Sequence, residues 1–188
     1  AGKAWVLDPV GLGIGSLRTK LLGELKPYKP TIVRGNASEI IALASLWELL
    51  DAEDALERPR GVDTTDGVDA AREAAVALAR YTGGAVVVSG EVDLVTDGTT
   101  VVRSHGGSEL MSKITGCGCS QGGVLAVYAT CADAFTAAVA GTAHYNLAGT
   151  RAAAVADAPA SFKVAFIDEL YRATGEEIAA NPMCAEEA

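Results

Sequence analysis

Short apolar runs alternate along the chain with longer stretches whose apolar positions recur every three or four residues. The runs 4–7 (Ala-Trp-Val-Leu), 31–34 (Thr-Ile-Val-Arg) and 85–89 (Ala-Val-Val-Val-Ser) read as buried strands. The last is a nearly continuous β-branched run, the composition of a strand covered on both faces. Two further runs, 93–96 and 99–103, flank Asp97-Gly98, a two-residue hairpin signal. The helical period predicts helices over 16–25, 37–50, 67–81, 120–131, 135–155 and 162–173. Ser16 is the candidate cap of the first, and Pro27 and Pro30 close it. The third places Val68, Ala71, Ala75, Leu78 and Ala79 on one face and ends at Gly83-Gly84. The polar stretch 51–65, with Pro59 and Gly61, reads as a surface connection. This alternation predicts an α/β fold: a mostly parallel sheet, helices on both faces, and an antiparallel hairpin in the second half. One domain over 1–175 is expected, followed by a charged tail, 176–188, that frays.

Composition narrows the class. A chain of 188 residues suits one domain with a sizeable core. Hydrophobic residues at 49% and charged residues at 21% are those of a globular protein. The net charge is −9 and no basic stripe with interleaved aromatics occurs, so nucleic acid is not an expected partner. No apolar run reaches about eighteen residues, and no membrane span is expected. The alanine-rich tract 132–156 is interrupted by Asp133, His144, Asn146 and Arg151 and reads as a buried helical layer. The first eight residues carry no secretory pattern, so a cytoplasmic location with free thiols is the expectation.

Two of the four cysteines, Cys117 and Cys119, flank Gly118 in a glycine-rich turn that opens the fourth helix. Their i, i+2 spacing does not suit a mutual disulfide, and the pair is not a Cys-x-x-Cys redox motif. A zinc site needs about four ligands, and Cys131, Cys184, His105 and His144 lack finger-like spacing. Two small buried apolar residues, or a turn built around a ligand, both remain open.

In doubly wound folds, ligands sit beyond the carboxyl ends of the strands. Four segments there have unusual composition: Asp8, Arg34-Gly-Asn-Ala-Ser-Glu39, Ser89-Gly-Glu91 and Thr115-Gly-Cys-Gly-Cys119. Glycines in the last let backbone N–H groups approach a ligand, and a helix N-terminus favours negative charge, so phosphate is the natural occupant. Each segment also has a plain structural use. Arg34 could be a surface ion pair, Asp8 an Asx-turn residue, Glu39 the back half of a cap on Asn36, and Ser89 a strand-end hydroxyl. His105 and His144 read as polar structural positions.

Taken together, these segments resemble the hydroxyethylthiazole kinase family. Asp8-Pro-Val-Gly11, Arg34-Gly-Asn-Ala-Ser-Glu-Ile40, Gly61-Val-Asp63, Ser89-Gly-Glu91, Thr115-Gly-x-Gly-Cys119 and Pro159-x-Ser161-Phe162 occur in the family's order. The resemblance implies a ribokinase-like fold and transfer of the ATP γ-phosphoryl group to the hydroxyl of 4-methyl-5-(2-hydroxyethyl)thiazole. It assigns Arg34 and Ser89 to ATP, Asp8 and Glu39 to Mg2+, Gly116 to the thiazole side, and Cys119 to the place of a catalytic base. Cys117 falls where the family has a small residue and reads as filler, and Gln121-Gly-Gly123 replaces small and apolar positions. The resemblance further implies a homotrimer with active sites between subunits. The family carries a substantial portion ahead of the Asp-Pro-Val-Gly motif, supplying much of the thiazole pocket, and here the motif stands at residue 8. An incomplete thiazole site, exposed apolar area beside Val6 and Leu7, and ATP binding with little thiazole phosphorylation are therefore expected. The alternatives are another ribokinase-like small-alcohol kinase, a nucleotide-dependent dehydratase, or a non-catalytic nucleotide-binding fragment.

Overall fold

The structure is a computed structural model that describes residues 2–12, 15–50 and 67–188. The connection expected over 51–65, with Gly61-Val-Asp63, lies outside them. Among the described residues, one six-stranded sheet runs in chain order: β1 (Val6–Leu7), β2 (Ile32–Asn36), β3 (Ala85–Ser89), β4 (Asp93–Thr96), β5 (Thr100–Ser104) and β6 (Met183–Glu187). The first three strands are parallel, and β3 to β6 pair antiparallel, β4 and β5 forming the hairpin about Asp97-Gly98. The α/β class and the hairpin follow the pattern of the sequence; the sheet itself is mixed.

Helices cover both faces because side chains alternate along each strand. Val33, Val86, Val88, Leu94 and Val101 point to one side, where α1 (Ser16–Leu25), α2 (Ala37–Leu46) and α4 (Arg72–Thr82) pack. Ile32, Ala85, Val87, Val95 and Val102 point to the other, against α5 (Cys117–Tyr128) and α6 (Ala134–Val155). The alanine-rich tract is indeed a buried layer: α6 lies close enough to α5 that a Cβ on Gly141 would stand 2.8 Å from the Leu125 side chain. Gly84, between α4 and β3, has no room for a side chain, since its Cβ would lie 2.2 Å from the Thr31 carbonyl oxygen.

Several element bounds differ from the sequence reading. The first helix has Gly15 at its cap position, with no side-chain capping bond. The helix expected over 37–50 stops at Leu46, with Trp47 buried beneath it. The stretch 67–81 is two helices, α3 (Gly67–Ala70) and α4. The fourth long helix begins three residues early, at Cys117, because Gly116 in the left-handed region (φ 84) turns the chain into it.

The charged tail is the main correction. After α7 (Pro159–Arg172), the chain forms α8 (Gly175–Ala179), and Thr174 and Glu177 make the reciprocal bonds of a capping box. It then adds β6 to the sheet edge, where Glu186 pairs with Arg72 and Arg103. All five β6 residues are exposed, so backbone bonds and ion pairs hold it, and no apolar pattern marked it.

Candidate active site

Arg34, in β2, organises the carboxyl end of the parallel strands. It is 8% exposed. Its Nε donates to Gln121 Oε1 at 2.9 Å, one terminal nitrogen to Ser89 Oγ at 2.7 Å, and the other to Asp8 Oδ2 at 3.4 Å. Ser89 Oγ donates on to the Gly35 carbonyl at 3.3 Å. The guanidinium lies against the first turn of α5: a Cβ on Gly118 would stand 3.1 Å from both terminal nitrogens. This contact explains a glycine between two cysteines. The planar cation and the positive end of the helix are brought side by side, an arrangement whose natural complement is an anion.

Asp8 and Glu39 sit next to this centre. Asp8 Oδ1 is buried and has no hydrogen-bond partner among the described residues. Burial raises the Asp8 carboxyl, Arg34 opposes the shift, and the nearby Glu39 charge adds to it. Glu39 closes the capping box of α2: its backbone N–H donates to Asn36 Oδ1 and its Oε2 accepts from the Asn36 N–H, both at 2.9 Å. Its Oε1 accepts from the Gly11 N–H at 3.2 Å. The capping use that the sequence allowed is therefore present, alongside proximity to Asp8. An orphaned hard oxygen beside a second carboxylate suits a divalent cation such as Mg2+. Asp8 offers it a free oxygen, whereas both Glu39 oxygens already accept one bond each.

A cavity of about 740 Å³ opens beside Arg34, within the range of nucleotide and cofactor sites. Ser89, Asp93, Gln121, Tyr145 and Asn146 are among its walls. Asp93, at the start of β4, is the residue that sequence reading took only for a strand end. Burial pushes its carboxyl up to about 6, against hydrogen bonds from the Gly90 N–H (2.8 Å), Asn146 and Gln121 and the charge of Arg34. The unfolded chain releases this proton near pH 4, and the folded chain holds it to about pH 6. In that window the folded state binds more protons, so Asp93 makes stability fall as pH rises. Asp93→Asn, which retains the acceptor for Gly90, is expected to stabilise the protein at pH 8 relative to pH 4 by on the order of 3 kcal/mol. Urea unfolding of both proteins at the two pH values measures this; equal pH slopes would count against a raised Asp93.

The two cysteines occupy different surroundings. Cys117 is buried and lines the cavity, its thiol pushed up by burial, with Sγ 3.5 Å from the Tyr145 hydroxyl. The Tyr145 hydroxyl and Ser120 Oγ both donate to the Cys117 carbonyl, so the first turn of α5 is tied to α6. Cys119 is exposed, on the third residue of α5, and Gly116 just before the helix is exposed as well. The structure thus gathers Arg34, Ser89, Asp8 and Glu39 in one region. Gly116 and Cys119 stand at the adjoining helix end, outside the cavity wall. His144 is structural, bonded to the Tyr128 hydroxyl at 3.1 Å and the Leu170 carbonyl at 2.9 Å. Sequence reading missed Asp93, Tyr145 and Asn146. The signals available were an acid opening a β-branched strand and polar residues inside an alanine-rich helix.

Known proteins share this sequence and architecture. The family model described as "Hydroxyethylthiazole kinase family" matches residues 1–176. Proteins named hydroxyethylthiazole kinase from Bifidobacterium animalis subsp. lactis and Bifidobacterium adolescentis are 49% and 50% identical, over 97% and 96% of this chain and 63% and 64% of their own length. One from Cereibacter sphaeroides is 44% identical over 95% of this chain and 64% of its own. The chain spans somewhat under two thirds of the length of these relatives. The solved hydroxyethylthiazole kinase structure from Pyrococcus horikoshii OT3 superposes with a TM-score of 0.80 at 28% identity, covering 100% of this chain and 66% of that one.

Proposed function

Because the chain belongs to the hydroxyethylthiazole kinase family, we propose that it binds ATP with Mg2+ and takes part in transferring the γ-phosphoryl group to the hydroxyl of 4-methyl-5-(2-hydroxyethyl)thiazole. The observation that carries this is the buried Arg34 fork set against Gly118 at the mouth of a nucleotide-sized cavity. Arg34 has five N–H donors and three are engaged, which leaves two for phosphate oxygens among the described contacts. The N-terminus of α5, which has no side-chain cap, offers further backbone donors. Asp8 would hold the cation through its free oxygen, with Glu39 beside it, and the cation would neutralise charge on the phosphates. Gly116 and Cys119 face solvent, so the acceptor alcohol approaches from that side while the nucleotide occupies the cavity. Cys119 takes the hydroxyl proton as the oxygen attacks phosphorus and ADP departs. A cytoplasmic homotrimer whose kinase domain includes α8 and β6 belongs to the same reading.

Calorimetry with ATP and Mg2+, followed by detection of the thiazole phosphate, tests it. Micromolar to millimolar ATP affinity is expected, with a low but ATP-dependent yield of the thiazole phosphate. Absence of ATP binding would overturn the reading, and ATP-dependent phosphorylation of other alcohols alone would turn it toward a different small-alcohol kinase.

A further inference from the structure

Gln121 lies in the second turn of α5 and is 2% exposed. Its Oε1 accepts from Arg34 Nε at 2.9 Å. That contact fixes the orientation of the amide, so its NH2 is the end left to act as a donor, and Asp93, whose ionised form the Gln121 amide favours, lines the same cavity. Arg34 has donors only and an ionised Asp93 has acceptors only. A primary amide is the neutral side chain that meets both at once. On the far side, Asn146 lines the cavity with Asp93, and its Nδ2 donates to the Ser104 carbonyl at 3.4 Å and to Ser104 Oγ at 3.2 Å.

We propose that Gln121 is a positioning residue whose amide bridges Arg34 to Asp93, locking the guanidinium plane so that its free N–H donors serve the nucleotide phosphates. The proposal rests on the ATP-binding reading above for its functional part, though the bridge itself does not. Three partners hold Arg34 from three directions, Gln121 on Nε and Asp8 and Ser89 on the terminal nitrogens. Gln121 is the partner that lies on the same helix as Gly118, so it also sets the distance between the guanidinium and the α5 N-terminus. An apolar residue here would leave Arg34 Nε–H buried without an acceptor and free the plane to rotate. A glutamate would keep the acceptor for Arg34 and lose the donor for Asp93. The ionisable groups lining the same cavity are Arg34 of β2, Glu91 of the β3–β4 turn, Glu109 of the short 3-10 helix Glu109–Lys113 ahead of α5, Cys117 of α5 and Tyr145 of α6. Of these, it is the charge of Arg34 that acts on Asp93.

Gln121→Met retains length and volume, and Gln121→Glu separates the two halves of the bridge. ATP affinity by calorimetry, the Arg34 Nε–H resonance, and the Asp93 carboxyl titration by NMR are measured on both and on wild type. In Gln121→Met, ATP is expected to bind about tenfold more weakly, matching one lost hydrogen bond to a charged group. The Asp93 titration should move to higher pH, and the Arg34 Nε–H should lose its protection from solvent exchange. Gln121→Glu should keep that protection while the Asp93 titration still moves up. A Gln121→Met protein with unchanged Asp93 titration and a protected Arg34 Nε–H would overturn the bridge, whatever its ATP affinity. Both NMR changes with ATP affinity within twofold of wild type would overturn the positioning role. If Gln121→Met fails to fold, Gln121→Glu decides the bridge: an unmoved Asp93 titration, or loss of Arg34 protection, overturns it. If wild type itself binds no ATP, the proposed function fails and the positioning role with it, while the two NMR readouts still establish or refute the bridge.

Discussion

Cys119→Ala is expected to lower kcat by roughly 10² to 10⁴-fold, the usual contribution of a positioned general base, with ATP affinity close to wild type. The thiol is exposed at the third residue of α5, away from the cavity wall and from every contact of Arg34. Nothing that holds the nucleotide is removed with it. Cys117→Ala is the matched comparison. Its backbone carbonyl, which receives the Tyr145 and Ser120 hydroxyls, survives the substitution, and only the 3.5 Å thiol contact is lost. Its kcat should stay within about threefold of wild type, because loss of one weak thiol contact is a small term. Steady-state kinetics on both variants, with calorimetric ATP titrations, separates proton transfer from binding. Similar losses of kcat in the two would remove Cys119 from the role of base.

Arg34→Met should weaken ATP binding by about 10²-fold, the scale of charge-assisted bonds lost together. Lysine should not rescue it. A single ammonium cannot meet Gln121, Ser89 and Asp8 in their separate directions and still face a phosphate. The substitution also leaves Asp8 buried without its cation, so its carboxyl should rise further. Thermal unfolding of the ligand-free variant measures that structural part, and calorimetry measures the ATP part. Arg34→Lys with wild-type ATP affinity would mean that the fork geometry is unimportant and that a point charge suffices.

Local patterns carried most of the elements. The β-branched run of β3, the Asp97-Gly98 turn and the Gly83-Gly84 stop depend on residues a few positions apart, and all three stand where the sequence put them. The motifs that resemble the family likewise singled out Arg34, Ser89, Asp8 and Glu39, which the fold brings into one region. The start of α5 was harder to place: two cysteines and a glycine have low helix propensity, and what begins the helix is the left-handed Gly116.

What the sequence determined by itself is the alternation of buried strands and amphipathic helices, and through it the α/β class, because burial on a pleated strand or a helical face is written with a period of two or 3.6 residues. The tertiary structure alone decided which polar groups meet. Gln121 reaches Arg34 across 87 positions, Tyr145 reaches Cys117 across 28, and β6 joins β5 through Glu187 opposite Thr100. No periodicity encodes these pairings, since a buried amide, hydroxyl or charged edge strand is satisfied by whichever partner the packed sheet presents to it.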